Sequence, residues 1–111
     1  MKNLNKKKLL GTWISDPEDT ESIRRFGNVR LHFTIDGRLI YTILGEEKDQ
    51  KIFLTYRVEN NILITDQPSD PREEQTKFRI TAGGKLEQEP LSLDGGTARY
   101  VRIRLPEHLL F

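Results

Sequence analysis

A chain of 111 residues, 35% of them hydrophobic, has the length and apolar content for one domain around one core. Its 18 Lys and Arg nearly balance 17 Asp and Glu, and a net charge of +1 provides no long-range field to attract nucleic acid or an anionic membrane. It has no cysteine, so disulfides and thiolate chemistry are excluded and a reducing compartment fits.

The opening "MKNLNKKKLLGTW" is basic, but only Leu9 and Leu10 sit together before Gly11. A signal peptide needs about 7–15 apolar residues after its charges, and a membrane span needs about 20. A complete chain of this kind is expected in the cytoplasm, with no membrane span. Lys6, Lys7 and Lys8 read as a solubilising tail. "LLGTWIS" reads as the first strand. Then "SDPEDTESIRRFGN" fits a helix of about two turns, with Asp16 as N-cap and Pro17 at the first helical position. Glu18 and Asp19 suit its positive end, and Arg24 and Arg25 its negative end. Gly27 suits the residue just past the helix. Ile23 and Phe26 are three apart and could dock as a small lid.

From Val29 onward the dominant period is two. "VRLHFTI" sets Val29, Leu31, Phe33 and Ile35 on one face and Arg30, His32 and Thr34 on the other, the pattern of a half-buried strand. Asp36-Gly37 is the dipeptide of a type I′ hairpin turn, and "RLIYTIL" returns with Leu39, Tyr41 and Ile43 on one side. "KIFLTYRV" alternates Ile52, Leu54, Tyr56 and Val58. Asn60-Asn61 makes a second tight turn, because Asn tolerates positive φ. "ILIT", "QTKFRI", "KLEQE" and "TARYVRIRL" complete about eight strands. The longer link "DQPSDPREEQ" reads as an ordered loop. Eight short antiparallel strands in hairpin order predict an all-β, up-and-down barrel, since closure removes exposed strand edges.

Gly11-Thr12-Trp13 on the first strand resembles the G-x-W motif that opens lipocalins. The resemblance implies a tryptophan at the closed end of the barrel, with a late arginine packed across its indole. Arg99, Arg102 and Arg104 in "ARYVRIR" are the candidates, with Arg102 or Arg104 favoured. Gly11, Trp13 and Arg104 are thus expected to close the barrel. The helix between strands one and two resembles the lid of fatty-acid-binding proteins, which hold a carboxylate with an R-x-Y pair on the last strand. Here the order is reversed, Tyr100-x-Arg102. The chain is much shorter than a typical lipocalin.

The pattern of the last strand favours Val101, Ile103 and Leu105 toward the core, with Tyr100 and Arg102 outward. Should their face be the interior, Tyr100 and Arg102 could bind a carboxylate or phosphate, since Arg offers a bidentate fork. Together with Ile23 and Phe26 they are the candidate ligand contacts. His32 and His108 are isolated and make no metal set. Asp66, Asp70, Glu73 and Glu74 surround Arg72 without EF-hand spacing. No nucleophile elbow, phosphate loop or Cys/His pair is present, and no carboxylate pair advertises a buried, raised-pKa member. The expected protein is therefore non-catalytic, without cofactor or metal, and not a nucleic-acid binder. Two functions remain. One is a lipocalin-like binding protein for a small apolar or amphipathic ligand. The other is a protein-binding module, such as an immunity protein that covers a toxin's active site.

Overall fold

The computed structural model describes residues 4–91 and 96–103. A short helix α1 (Leu4–Leu9) precedes β1 (Gly11–Ser15), and α2 (Thr20–Phe26) separates β1 from β2 (Val29–Phe33). The chain then runs through β3 (Arg38–Ile43), β4 (Gln50–Glu59), β5 (Ile62–Asp66), β6 (Glu73–Ile80), β7 (Leu86–Pro90) and β8 (Ala98–Ile103). The eight strands form a closed barrel in sequence order, each antiparallel to its neighbours, and β8 pairs back onto β1. Hairpin order puts α2 and the β3–β4, β5–β6 and β7–β8 links at one end, and α1 and the remaining links at the other.

Register decides which side chains share a face, because residues opposite one another in a ladder point the same way. Trp13 lies opposite Leu31 and Arg102, Leu31 opposite Tyr41, Phe33 opposite Leu39, and Tyr41 opposite Ile52. These side chains therefore point inward with Tyr56, Leu63, Phe78, Leu86 and Tyr100, and most are buried in one core. The expected outward placement of Tyr100 and Arg102 is overturned. Tyr100 is buried opposite Ser15 and Leu86, and Val101 and Ile103 take the outer face. The apolar pattern of "VRI" was the weaker guide, because a late arginine is needed beneath the tryptophan.

That arginine is Arg102. Its guanidinium lies 4.2 Å from the Trp13 ring centroid, within cation–π range. Its Nη1 donates to the Leu10 carbonyl at 2.5 Å and its Nη2 to the Lys8 carbonyl at 2.6 Å. The Trp13 Nε1–H donates to the Leu9 carbonyl at 2.9 Å. Three carbonyls at the end of α1 are thus satisfied by the plug they cover. Lys6 stands 5.7 Å over the Tyr56 ring, which meets Phe33 edge-on at 5.1 Å. The lysine run is part of a helix that caps the barrel, not a solubilising tail. Gly11 has φ 111°, and a Cβ there would stand 2.9 Å from Arg102 Nη1. Conformation and space both demand glycine.

Two further expectations change. The β2–β3 turn is not type I′, since Asn60, at φ 56°, is the one non-glycine residue with positive φ among those described. Instead the Gly37 N–H donates to the Thr34 carbonyl at 3.3 Å and Gly37 takes φ 87°, a three-residue type of hairpin connection. Ile35 therefore leaves the strand and is 79% exposed. Helix α2 starts later than expected: Asp19, not Asp16, caps it by accepting from the Ser22 N–H at 3.4 Å, and Asp16 is used elsewhere.

Replacing Trp13 with Ala is expected to cost about 3–5 kcal/mol, as for other large-to-small changes in a packed core. Chemical denaturation of the two proteins measures this, and a loss below about 1 kcal/mol would contradict the role of the indole as the plug.

Candidate functional site

The barrel interior is filled at the α1 end and opens toward α2. At the α2 end a cavity of about 140 Å³ is walled by Tyr41, Ile52, Leu54 and Thr65, with Gln67, Arg72 and Glu74 at its rim. The wall residues come from adjacent strands at inward positions, so alternation on β3, β4 and β5 places them on one wall. The rim comes from the link after β5 and from the start of β6. The Arg72 N–H donates to Asp66 Oδ1 at 2.9 Å, which folds the link back on itself, and the Arg72 side chain pairs with Glu74 at 3.2 Å. Asp66 and Glu74 are thus tied to Arg72, Glu73 pairs with Arg57 at 3.4 Å, and no cluster able to hold a metal ion occurs among the described residues.

Tyr41 and Tyr100 bring phenol groups into the upper interior. Burial pushes the Tyr41 hydroxyl above its ordinary pKa. The Tyr100 hydroxyl is pushed much further up, first by burial and then by Tyr41 and Asp19. Both remain neutral donors at physiological pH. Of the two, Tyr41 lines the cavity, where its hydroxyl can donate to a bound acceptor.

The other expected contacts are scattered. Ile23 is half-buried on α2, Phe26 is 41% exposed, and neither lines the cavity. Arg102 lies at the opposite end, beneath Trp13, and does not act with Tyr100 on one ligand. Arg104, Leu105 and His108 lie outside the described residues. His32 is on the outer face, where its Nδ1 meets the Thr12 hydroxyl at 2.8 Å.

Sequence reasoning missed the most concentrated charge in the molecule. Asp16 is 2% exposed. Its Oδ2 accepts from Arg99 Nε at 2.7 Å and Lys85 Nζ at 2.9 Å, and its Oδ1 accepts from the Glu18 N–H at 3.0 Å. The Lys85 and Glu18 hydrogen bonds, with help from Arg99 and against the cost of burial, lower its pKa from 3.8 to about 2. The Arg99 N–H donates in turn to Asp19 Oδ2 at 2.9 Å, so the same cluster fastens α2 to β8. The local signal was an Asx-turn, in which an aspartate accepts from the N–H two residues on. Its distant partners, Lys85 and Arg99, had no sequence signature.

No protein-family model matches the chain, and no curated protein matches it. The reading of function therefore rests on the geometry of this molecule alone.

The depressed pKa of Asp16 fixes the sign of a pH dependence. The carboxylate stabilises the fold fully above its unfolded pKa, and the contribution is lost as pH falls toward about 2. Asp16→Asn is expected to lower stability by about 1–2 kcal/mol at neutral pH, allowing for screening at the partly exposed Lys85 and Arg99. Urea denaturation across the acid range should show the gap between the two proteins closing between about pH 4 and about pH 2. A gap independent of pH would place the effect in packing rather than charge.

Proposed function

We propose that this protein is a small lipocalin-like binding protein that holds a small apolar or amphipathic ligand in the cavity at the α2 end. The observation that carries the reading is that cavity: an apolar wall of Ile52 and Leu54, the Tyr41 phenol, and a polar rim of Gln67, Arg72 and Glu74. Binding sites generally combine an apolar lining with a few placed polar groups. The G-x-W motif, the Trp13–Arg102 stack and the strand order support a lipocalin-like label.

Size narrows the ligand. The volume of about 140 Å³ is near that of cavities that take up benzene, and below the usual range of about 300–1,000 Å³ for drug-sized ligands. The fitting ligand is a compact ring or short chain with one acceptor for a tyrosine hydroxyl. Filling the cavity with Thr65→Phe is expected to abolish saturable uptake of indole, followed by amide shifts around Tyr41 and Thr65, while circular dichroism stays unchanged. Absence of any co-purified mass in native mass spectrometry, together with no saturable shift with indole or fatty-acid probes, would overturn the reading.

A second reading, a protein-binding module such as an immunity protein, is favoured by the outer face. Opposed positions on five adjacent strands align Ile103, Thr12, His32, Ile40 and Phe53, and Phe53 is 62% exposed. An exposed aromatic beside a second apolar side chain suits a protein contact. If a toxin is encoded beside this gene, calorimetry should show binding that Phe53→Glu weakens; failure of the unaltered protein to bind that neighbour would remove this reading.

A further inference from the structure

β4 has 10 residues and β5 only 5. The longer strand pairs with β3 over residues 50–55 and with β5 over residues 55–59. The barrel therefore closes through the half of β4 nearer α1. Among the described residues, no strand lies beside residues 50–54 on the side away from β3.

A proline accounts for the gap. Thr55 lies opposite Asp66, so the same register carried onward would set Pro68 opposite Phe53. Proline has no N–H for the Phe53 carbonyl and cannot continue the ladder there. The chain turns instead, with the Asp70 N–H donating to the Gln67 carbonyl at 3.0 Å. On the other side of β4, the Tyr56 N–H donates to the Gly37 carbonyl at 2.9 Å, so the Tyr56 backbone faces β3. Successive residues of a strand turn their N–H and C=O groups to opposite sides. Leu54 and Ile52 therefore also face β3, and the backbone groups of Lys51 and Phe53 face the open side.

The cavity of about 140 Å³ runs along this edge, with Ile52 and Leu54 on its β4 side and Gln67, Arg72 and Glu74 across from them. On the outer face of the same segment, Lys51 is exposed and Phe53 is 62% exposed. A strand laid along the edge would send alternate side chains to these two places. The side chain opposite Ile52 enters the cavity, and those opposite Phe53 and Lys51 stay outside. The cavity is near the size of those that take up benzene, which suits one apolar side chain.

We propose that the open edge of β4 at Lys51, Ile52 and Phe53 binds an extended peptide segment of a partner protein as an added antiparallel strand. Strand addition draws affinity from main-chain hydrogen bonds and specificity from pockets for alternate side chains. From its N-terminus the segment carries an aliphatic residue opposite Phe53, a leucine-sized residue opposite Ile52 and a carboxylate opposite Lys51. The first and third exchange backbone hydrogen bonds with the edge, and the second fills the cavity. The segment shares this cavity with the small-ligand reading but does not rest on it, because the backbone of β4 provides the added contacts. Nor does it rest on the toxin reading, which uses side chains of the outer face.

The probe is the capped peptide acetyl-Val-Leu-Glu-Thr-amide, titrated into the unaltered protein and followed by amide shifts and hydrogen exchange. It should shift the Lys51 and Phe53 amides saturably and slow their exchange, which in the free protein should be faster than at Ile52 and Leu54. N-methylation of the valine or the glutamate removes an N–H that faces the edge and should weaken binding about tenfold or more. N-methylation of the leucine, whose N–H faces away, should change affinity by less than about twofold. Lysine in place of the glutamate should weaken binding about two- to fivefold, and Lys51→Glu should reverse that preference. Indole binding with no peptide binding would remove this proposal and leave the small-ligand reading, and the converse result would do the opposite. The proposal is also overturned by N-methyl peptides that all bind alike. Slow exchange of Lys51 and Phe53 in a self-associated free protein would give the edge to a second copy of this chain and overturn it too.

Discussion

The stack of Arg102 on Trp13 is the contact on which the rest of the barrel depends. It joins the last strand to the first at the point where the sheet closes, and it does so on the inner face of the barrel. A half-buried cation is costly unless its hydrogen bonds are satisfied. Here the carbonyls at the end of α1 provide two of them, which explains why a six-residue helix, too short to be stable alone, is held against the barrel. The plug, the helix and the glycine that admits the guanidinium form one unit. This unit closes the α1 end, and the cavity walled by Tyr41, Ile52, Leu54 and Thr65 lies at the α2 end.

Closure is reinforced from outside by the Asp16 cluster. One buried carboxylate gathers Lys85 and Arg99, and through the Arg99 backbone it also engages Asp19, the cap of α2. The strand joint is therefore held by an aromatic–cation contact on its inner side and an ion-pair group on its outer side. Both place positive charge near the start of β7.

Much of the fold was legible in the sequence because period-two alternation and short turns are local signals. Val29 to Phe33 and Ile52 to Val58 announce their faces without help from distant residues. Other features needed the tertiary structure. Tyr100 and Arg102 were misplaced because Val101 and Ile103 are the more apolar pair, and only pairing with β1 chooses between the faces. Asp16 carried two plausible local roles, helix cap and Asx-turn, and the choice was made by cations far along the chain. The interior wall was legible as alternation, but its cavity was not, since a void depends on how side chains from four strands meet. The lysines of α1 gave no amphipathic pattern, and their helix exists because of what it covers.

The pairing of Thr12 with Ile103 has a kinetic side. Every other ladder joins strands that follow each other in the chain, so each hairpin can form soon after its second strand leaves the ribosome. β1 is different: one of its edges has no partner until the whole barrel sequence has been made. Until then the plug lacks its arginine and the sheet has two open edges, the state most exposed to pairing with another chain. The connectivity makes synthesis of β8 the event that converts an open meander into a closed barrel.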